Sequence, residues 1–182
     1  MKLKDYQIDV LDRLSGYLSA LAAKRKEAEE YVEFQRGKGR DAKLGDYCRE
    51  TWQDLAAAGA LPKVRLPDGT EAVMPYVGRE DGRKRAIPNV CLKIPTGGGK
   101  TLIGTIAVDR INTEAFKTQT GLVLWVVPSD AIYSQTWRTL ANREHPYRQM
   151  LERASGGRVK MLEKNDAFTK QDVKLWSRPA GA

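Results

Sequence analysis

Histidine and cysteine are nearly missing from this chain of 182 residues: His145, Cys48 and Cys91 are the whole supply. No cysteine has a neighbour at metal-ligand spacing, which excludes a zinc cage, and two cysteines cannot build a disulfide framework. Both thiols read as ordinary packed or half-buried side chains. Long apolar runs are missing too. The longest, Leu122 to Val127, stops at Pro128, far short of the roughly 20 residues that a bilayer span requires. The opening Met1-Lys2-Leu3-Lys4-Asp5 lacks the apolar stretch of a signal peptide, so a cytoplasmic protein with no membrane partner is expected. Acidic charge is the minority sign: 23 Asp and Glu against 31 Lys and Arg leave +8. That surplus favours a polyanionic partner without specifying fold or chemistry.

What is present suffices for a folded domain. With 41% apolar and 30% charged residues wholesale disorder is excluded, and a chain of this size hides about 70% of its unfolded surface on folding. Val10, Leu14, Tyr17 and Leu21, with Leu11 and Leu18 beside them, recur at helical spacing and predict a helix from Asp5 to about Phe34. Asp46 is placed to cap a second helix running through Leu55 to Ala58, and Gly59 suits a left-handed stop. The link between them, Arg36-Gly37-Lys38-Gly39-Arg40, reads as a basic surface loop. Lys63 to Leu66 and Glu71 to Val77 flank Pro67-Asp68-Gly69-Thr70 and predict a hairpin. The tract from Gly78 to Lys84 is polar and is expected to be mobile.

From Pro88 the pattern changes to alternating strand and helix. Val90 to Ile94, Leu122 to Val127 and Arg158 to Leu162 read as strands, and Lys100 to about Lys117 as a helix. Ser129 caps a further helix toward Leu140, Pro146 interrupts or restarts it, and Thr169 with Asp172 can open a last one. A β-α-β-α-β order implies a parallel sheet covered by helices. The expected domains are an N-terminal helical arm with a hairpin insert over residues 1–87 and a phosphate-loop domain over 88–182.

The sharpest motif is Pro95-Thr96-Gly97-Gly98-Gly99-Lys100-Thr101, set between an expected strand and an expected helix. Glycines let the backbone wrap phosphate oxygens, a lysine ammonium neutralises the outer phosphates, and a threonine hydroxyl ligates Mg²⁺. Ile94 stands where the commonest pattern has its first glycine. Two weaker signals accompany it. In Leu3-Lys4-Asp5-Tyr6-Gln7 the Gln7 amide has the donor and acceptor to read adenine, although alone it reads as a solvated helix residue. Val123 to Ser129 is a strand ending in a capped helix start. Pro128 and Ser129 there suit a nucleic-acid phosphate and a plain helix cap equally well.

Together, Leu3 to Gln7, Ile94 to Thr101 and Leu122 to Ser134 resemble the N-terminal RecA-like, helicase/UvrB-type domain of superfamily 2 DEAD/DEAH-box helicases. The nearest likeness is to type III restriction enzyme Res subunits, over most of the chain. The resemblance implies an α/β fold: a partial RecA-like phosphate-loop sandwich with a parallel sheet, a helical arm and a small β-hairpin insert. It implies ATP and Mg²⁺ as cofactors, with Thr96, Gly97, Gly98, Gly99, Lys100 and Thr101 on the phosphates, Thr101 on the metal and Gln7 on adenine. Pro128 and Ser129 would touch the backbone of DNA, single- or double-stranded, and a methyltransferase or specificity subunit would be the protein partner. Residues 22–85 look like an insertion without an assigned role.

A motor of this kind also needs an acidic pair after an apolar strand and an arginine from a second lobe. Neither is found. Val159-Lys160-Met161-Leu162-Glu163 puts Lys160 inside the strand, which favours an ordinary strand over a catalytic one. The expectation is therefore an ATP-binding lobe that ends before its acidic motif and lacks turnover by itself. Two rivals are a nucleotide- or DNA-binding module without hydrolysis, and a small phosphate-loop kinase. The kinase would need acceptor pockets and lid arginines that a diffuse basic background does not supply.

Overall fold

The computed structural model describes residues 2–163, 165 and 166. They divide into two compact units, Lys4–Lys93 and a second that joins residues 2–3 to those from Ile94 onward. In the first, α1 (Asp5–Gly37) and α2 (Tyr47–Ala57) precede a hairpin of β1 (Lys63–Arg65) and β2 (Glu71–Val73). On α1 the buried side chains Gln7, Leu11, Leu14, Leu18 and Leu21 alternate steps of four and three, one helical face. Both helices end in a left-handed glycine. After α1, Gly39 lies at φ 72°, with Gly39 N–H on the Arg36 carbonyl and Arg40 N–H on the Gln35 carbonyl. After α2, Gly59 at φ 67° makes the same pair of bonds to Ala56 and, through Ala60, to Leu55. These are Schellman closures, and each satisfies carbonyls that the helix end would leave open.

Leu21, Tyr47 and Cys48 form the core of this unit, with Tyr17, Ala28, Tyr76 and Ala86 packed on it. Burial pushes the Tyr17 and Tyr76 hydroxyls up to about 12. Asp46 caps α2 by accepting from Arg49 N–H at 3.0 Å, and Lys24 of α1 reaches Asp54 of α2 at 2.9 Å. The hairpin pairs antiparallel in the register Lys63↔Val73, Val64↔Ala72, Arg65↔Glu71, and Asp68 Oδ1 accepts from the Thr70 amide inside the turn. Cys48 is buried, but Cys91 is exposed rather than packed.

The tract expected to be mobile is instead clipped. Asp81 accepts from the Arg83 and Arg85 amides at 2.9 Å and from Arg85 Nε at 2.7 Å, and a bridge joins Glu80 to Ala86. The Arg85 guanidinium and these amides lower the Asp81 carboxyl from its ordinary 3.8 to about 2. Because the folded value lies below the ordinary one, the clip is complete above pH 3.8 and is lost as pH falls through about 2. An NMR titration should find the Arg83 and Arg85 amide shifts moving with a midpoint near 2; a midpoint near 4 would mean that the clip does not form.

In the second unit α3 (Lys100–Arg110) runs into a π-helical turn, Ile111–Phe116, followed by α4 (Asp130–Ala141) and α5 (Pro146–Ala154). Pro146 does restart the chain as a helix, at the first turn of α5, where its missing N–H costs nothing. Helix α5 packs on both α3 and α4. Arg148 of α5 is 4% exposed and gives Nε to Glu152 at 2.8 Å, Nη1 to the Leu140 carbonyl at 3.1 Å and Nη2 to the Val159 carbonyl at 2.7 Å. The expected helix at Thr169 and Asp172 lies outside the described residues.

The expected parallel sheet is not formed among the described residues. Val90 to Ile94, Leu122 to Val127 and Arg158 to Leu162 carry no strand ladder, and the one sheet among the described residues is the two-stranded hairpin. The architecture is mixed: helices with a small antiparallel sheet. The physical reason is visible at Leu122, Leu124 and Val126, which are 72%, 85% and 79% exposed. Their β-prone, apolar composition is real, but a ladder requires neighbouring strands at hydrogen-bonding distance, and no such neighbour lies beside them among the described residues. No described helix is long and apolar enough to cross a membrane.

Candidate functional site

The segment Pro95 to Thr101 enters α3 through three glycines that are needed for two different reasons. Gly97 and Gly99 have φ of 72° and 82°, in the left-handed region where a side chain is strained. Gly98 is needed for space. A Cβ there would lie 2.7 Å from Ile94 Cγ2 and 2.8 Å from the Pro95 carbonyl oxygen. The loop is thus folded tightly on itself, with Gly98 N–H on the Pro95 carbonyl at 3.0 Å. Ile94, the departure from the commonest pattern, is the side chain that lies across Gly98.

The loop delivers an open helix start. Gly99 caps α3 without a side chain, and the first bond back to the loop is Ile103 N–H to the Gly99 carbonyl at 2.9 Å. The amides of Lys100, Thr101 and Leu102 precede that bond and have no acceptor within the helix, so they form a positive end with donors facing out. Lys100 Nζ folds back to donate to the Pro95 carbonyl at 2.9 Å. Its side chain is exposed, and the ammonium is held over the loop that it would serve. Thr105 Oγ1 donates to the Thr101 carbonyl at 2.8 Å, and among the described residues the Thr101 hydroxyl itself makes no hydrogen bond. The donors, the ammonium and the hydroxyl fit a phosphate chain with a divalent cation, and Thr96 stands exposed at the turn. Among the described residues no three of His, Cys, Asp and Glu group to hold a metal by themselves.

The remaining candidates are placed less pointedly. Ser129 caps α4, accepting from Ile132 N–H at a long 3.5 Å, and is exposed with Pro128 before it and Asp130 after it. Gln7 is not solvated as its setting implied: it is 6% exposed, and its Oε1 accepts from Lys4 N–H at 3.0 Å, closing the first turn of α1. Gln7 belongs to the first unit and the glycine loop to the second. Sequence reasoning missed Gly104, one turn into α3, where a Cβ would meet the Trp125 ring at 2.7 Å. This close approach anchors the segment that leads to Pro128 and Ser129. A glycine inside a helix was its only signal.

No curated protein and no solved structure matches the chain. The family described as type III restriction enzyme, res subunit, matches residues 1–175, nearly the whole length, and the chain belongs to that family.

Proposed function

We propose that this chain is the ATP-binding lobe of a DNA helicase or translocase of the restriction-enzyme type. The observation that carries the reading is the glycine loop, whose left-handed Gly97 and Gly99 open α3 with uncapped amides beside Lys100 and Thr101. Bound Mg-ATP would supply the phosphoanhydride to be broken. This chain's own residues bind and orient it: the loop amides take phosphate oxygens, Lys100 exchanges the Pro95 carbonyl for the outer phosphates, and Thr101 offers its hydroxyl to Mg²⁺. Gln7 would read adenine through its amide, and Pro128 with Ser129 would touch a DNA backbone. A modification subunit is the protein partner that this family membership supports.

The fold that goes with this reading is a RecA-like sandwich, in which Val90 to Ile94 and Leu122 to Val127 would supply the parallel strands that the described residues do not form. It also keeps residues 1–87 as an arm and 88–182 as the phosphate-loop domain. The β-prone composition of both segments supports it, as does their position on either side of α3. Competition against a fluorescent ATP analogue tests the function. ATP and ADP should displace the analogue and AMP should not, because the loop grips the outer phosphates. Gln7→Ala should weaken ATP more than GTP. Equal displacement by AMP would remove the phosphate loop from the account.

A further inference from the structure

We propose that the end of α1 and the link after it form a binding surface for single-stranded nucleic acid, built from residues other than those of the glycine loop and Ser129. Along most of α1 the cations are matched to acids: Arg13 with Asp9, Lys24 with Glu27 and Asp54, Arg25 with Glu29, Lys26 with Glu30. From Arg36 to Lys43 that habit stops. Arg36, Lys38, Arg40 and Lys43 are exposed, no carboxylate of the described residues lies within ion-pair distance of them, and the stretch contains one acid, Asp41. The helix end accounts for part of this, since its carbonyls favour Arg36 and Lys38, but Arg40 and Lys43 lie beyond that field.

Beside the cations stand two exposed rings. Tyr31 and Phe34 are 59% and 58% exposed and, three residues apart, share one face of α1. Lys38 Nζ lies 4.1 Å from the centre of the Phe34 ring, so a cation and a π-face already meet there. The Schellman closure at Gly39 holds the link against the helix end. The acids nearby are Glu27 and Glu30, engaged by Lys24 and Lys26, and Glu33. Unmatched cations that track a backbone, next to aromatic faces on which bases stack, are the two elements of sequence-indifferent single-strand binding. Duplex DNA, whose bases are already stacked, would use only the first.

The test uses the full chain with labelled oligothymidine, read by fluorescence anisotropy across about 50 to 200 mM salt. Changing Arg36, Lys38, Arg40 and Lys43 together to Gln should weaken binding at least about tenfold and reduce the log–log salt slope by about 2 to 3, since each single-strand phosphate contact contributes about 0.7. Tyr31→Ala and Phe34→Ala should each cost roughly fivefold or more, with the salt slope unchanged. All six side chains are exposed, so the thermal midpoint should fall by only a few degrees, through the loss of Arg36 and Lys38 at the helix end. Arg13→Gln, a cation of α1 already matched by Asp9, should retain this binding, and leaving out Mg-ATP should not touch it. The inference is overturned if wild-type chain does not bind oligothymidine, if the four-fold Gln variant keeps affinity and slope, or if duplex binds as tightly as single strand with the ring variants unaffected.

Discussion

Arg148→Ala should destabilise the second unit by about 2–4 kcal/mol. The side chain is 4% exposed and spends its guanidinium on three acceptors from three places: Glu152 on its own helix, the Leu140 carbonyl at the end of α4, and the Val159 carbonyl beyond α5. Truncation would strand two carbonyls and a carboxylate that is only partly solvated, 26% exposed. That partial exposure keeps the figure below the 3–5 kcal/mol typical of a fully buried broken pair. Arg148→Lys keeps the charge but not the planar fork, so it should recover less than half of the loss. Urea unfolding measures both. A change under about 0.5 kcal/mol for the alanine variant would mean that these bonds are no better than surface contacts.

Gly98→Ala is the second large effect, and it acts on function as well as stability. Gly98 has no unusual backbone angle, so the objection to a side chain is steric: one contact at 2.7 Å with Ile94 Cγ2 and another at 2.8 Å with the Pro95 carbonyl oxygen. A rotatable methyl can move, but a backbone carbonyl that also receives Gly98 N–H and Lys100 Nζ cannot do so without opening the loop. The cost expected for such overpacking is about 1–3 kcal/mol, and nucleotide affinity should fall with it. Pairing the change with Ile94→Ala removes one of the two contacts and should restore part of both quantities, a coupling visible in a double-mutant cycle. If Gly98→Ala bound nucleotide as tightly as wild type, the loop geometry described above would be wrong.

What the sequence made legible was local. Asp46, Gly59, Ser129 and Pro146 each act within a few residues of themselves, and each begins or ends a helix as its chemistry dictates. The turn at Pro67 to Thr70 closes its hairpin for the same reason. Polarity misled at Gly78 to Lys84, because an aspartate that captures amides two and four residues ahead can clip a hydrophilic loop as firmly as an apolar one. Leu122 to Val127 shows the larger limit. Composition reports that a segment would make a good strand, whereas a sheet is a relation between distant segments. At the site the glycines could be read as a set, but not that Gly98 faces Ile94 or that Gly104 faces Trp125, since each needs a partner brought in by the fold.

In the proposed function the loop from Thr96 to Thr101 holds the phosphates of a nucleotide. The most direct measurement is a calorimetric titration of Mg-ATP into wild-type chain and into Lys100→Ala. Wild-type chain should bind saturably, and binding should weaken at least about tenfold, 1.4 kcal/mol or more, when the ammonium is removed. Equal affinity in the two proteins, or no heat of binding with wild type, would contradict that role of the loop.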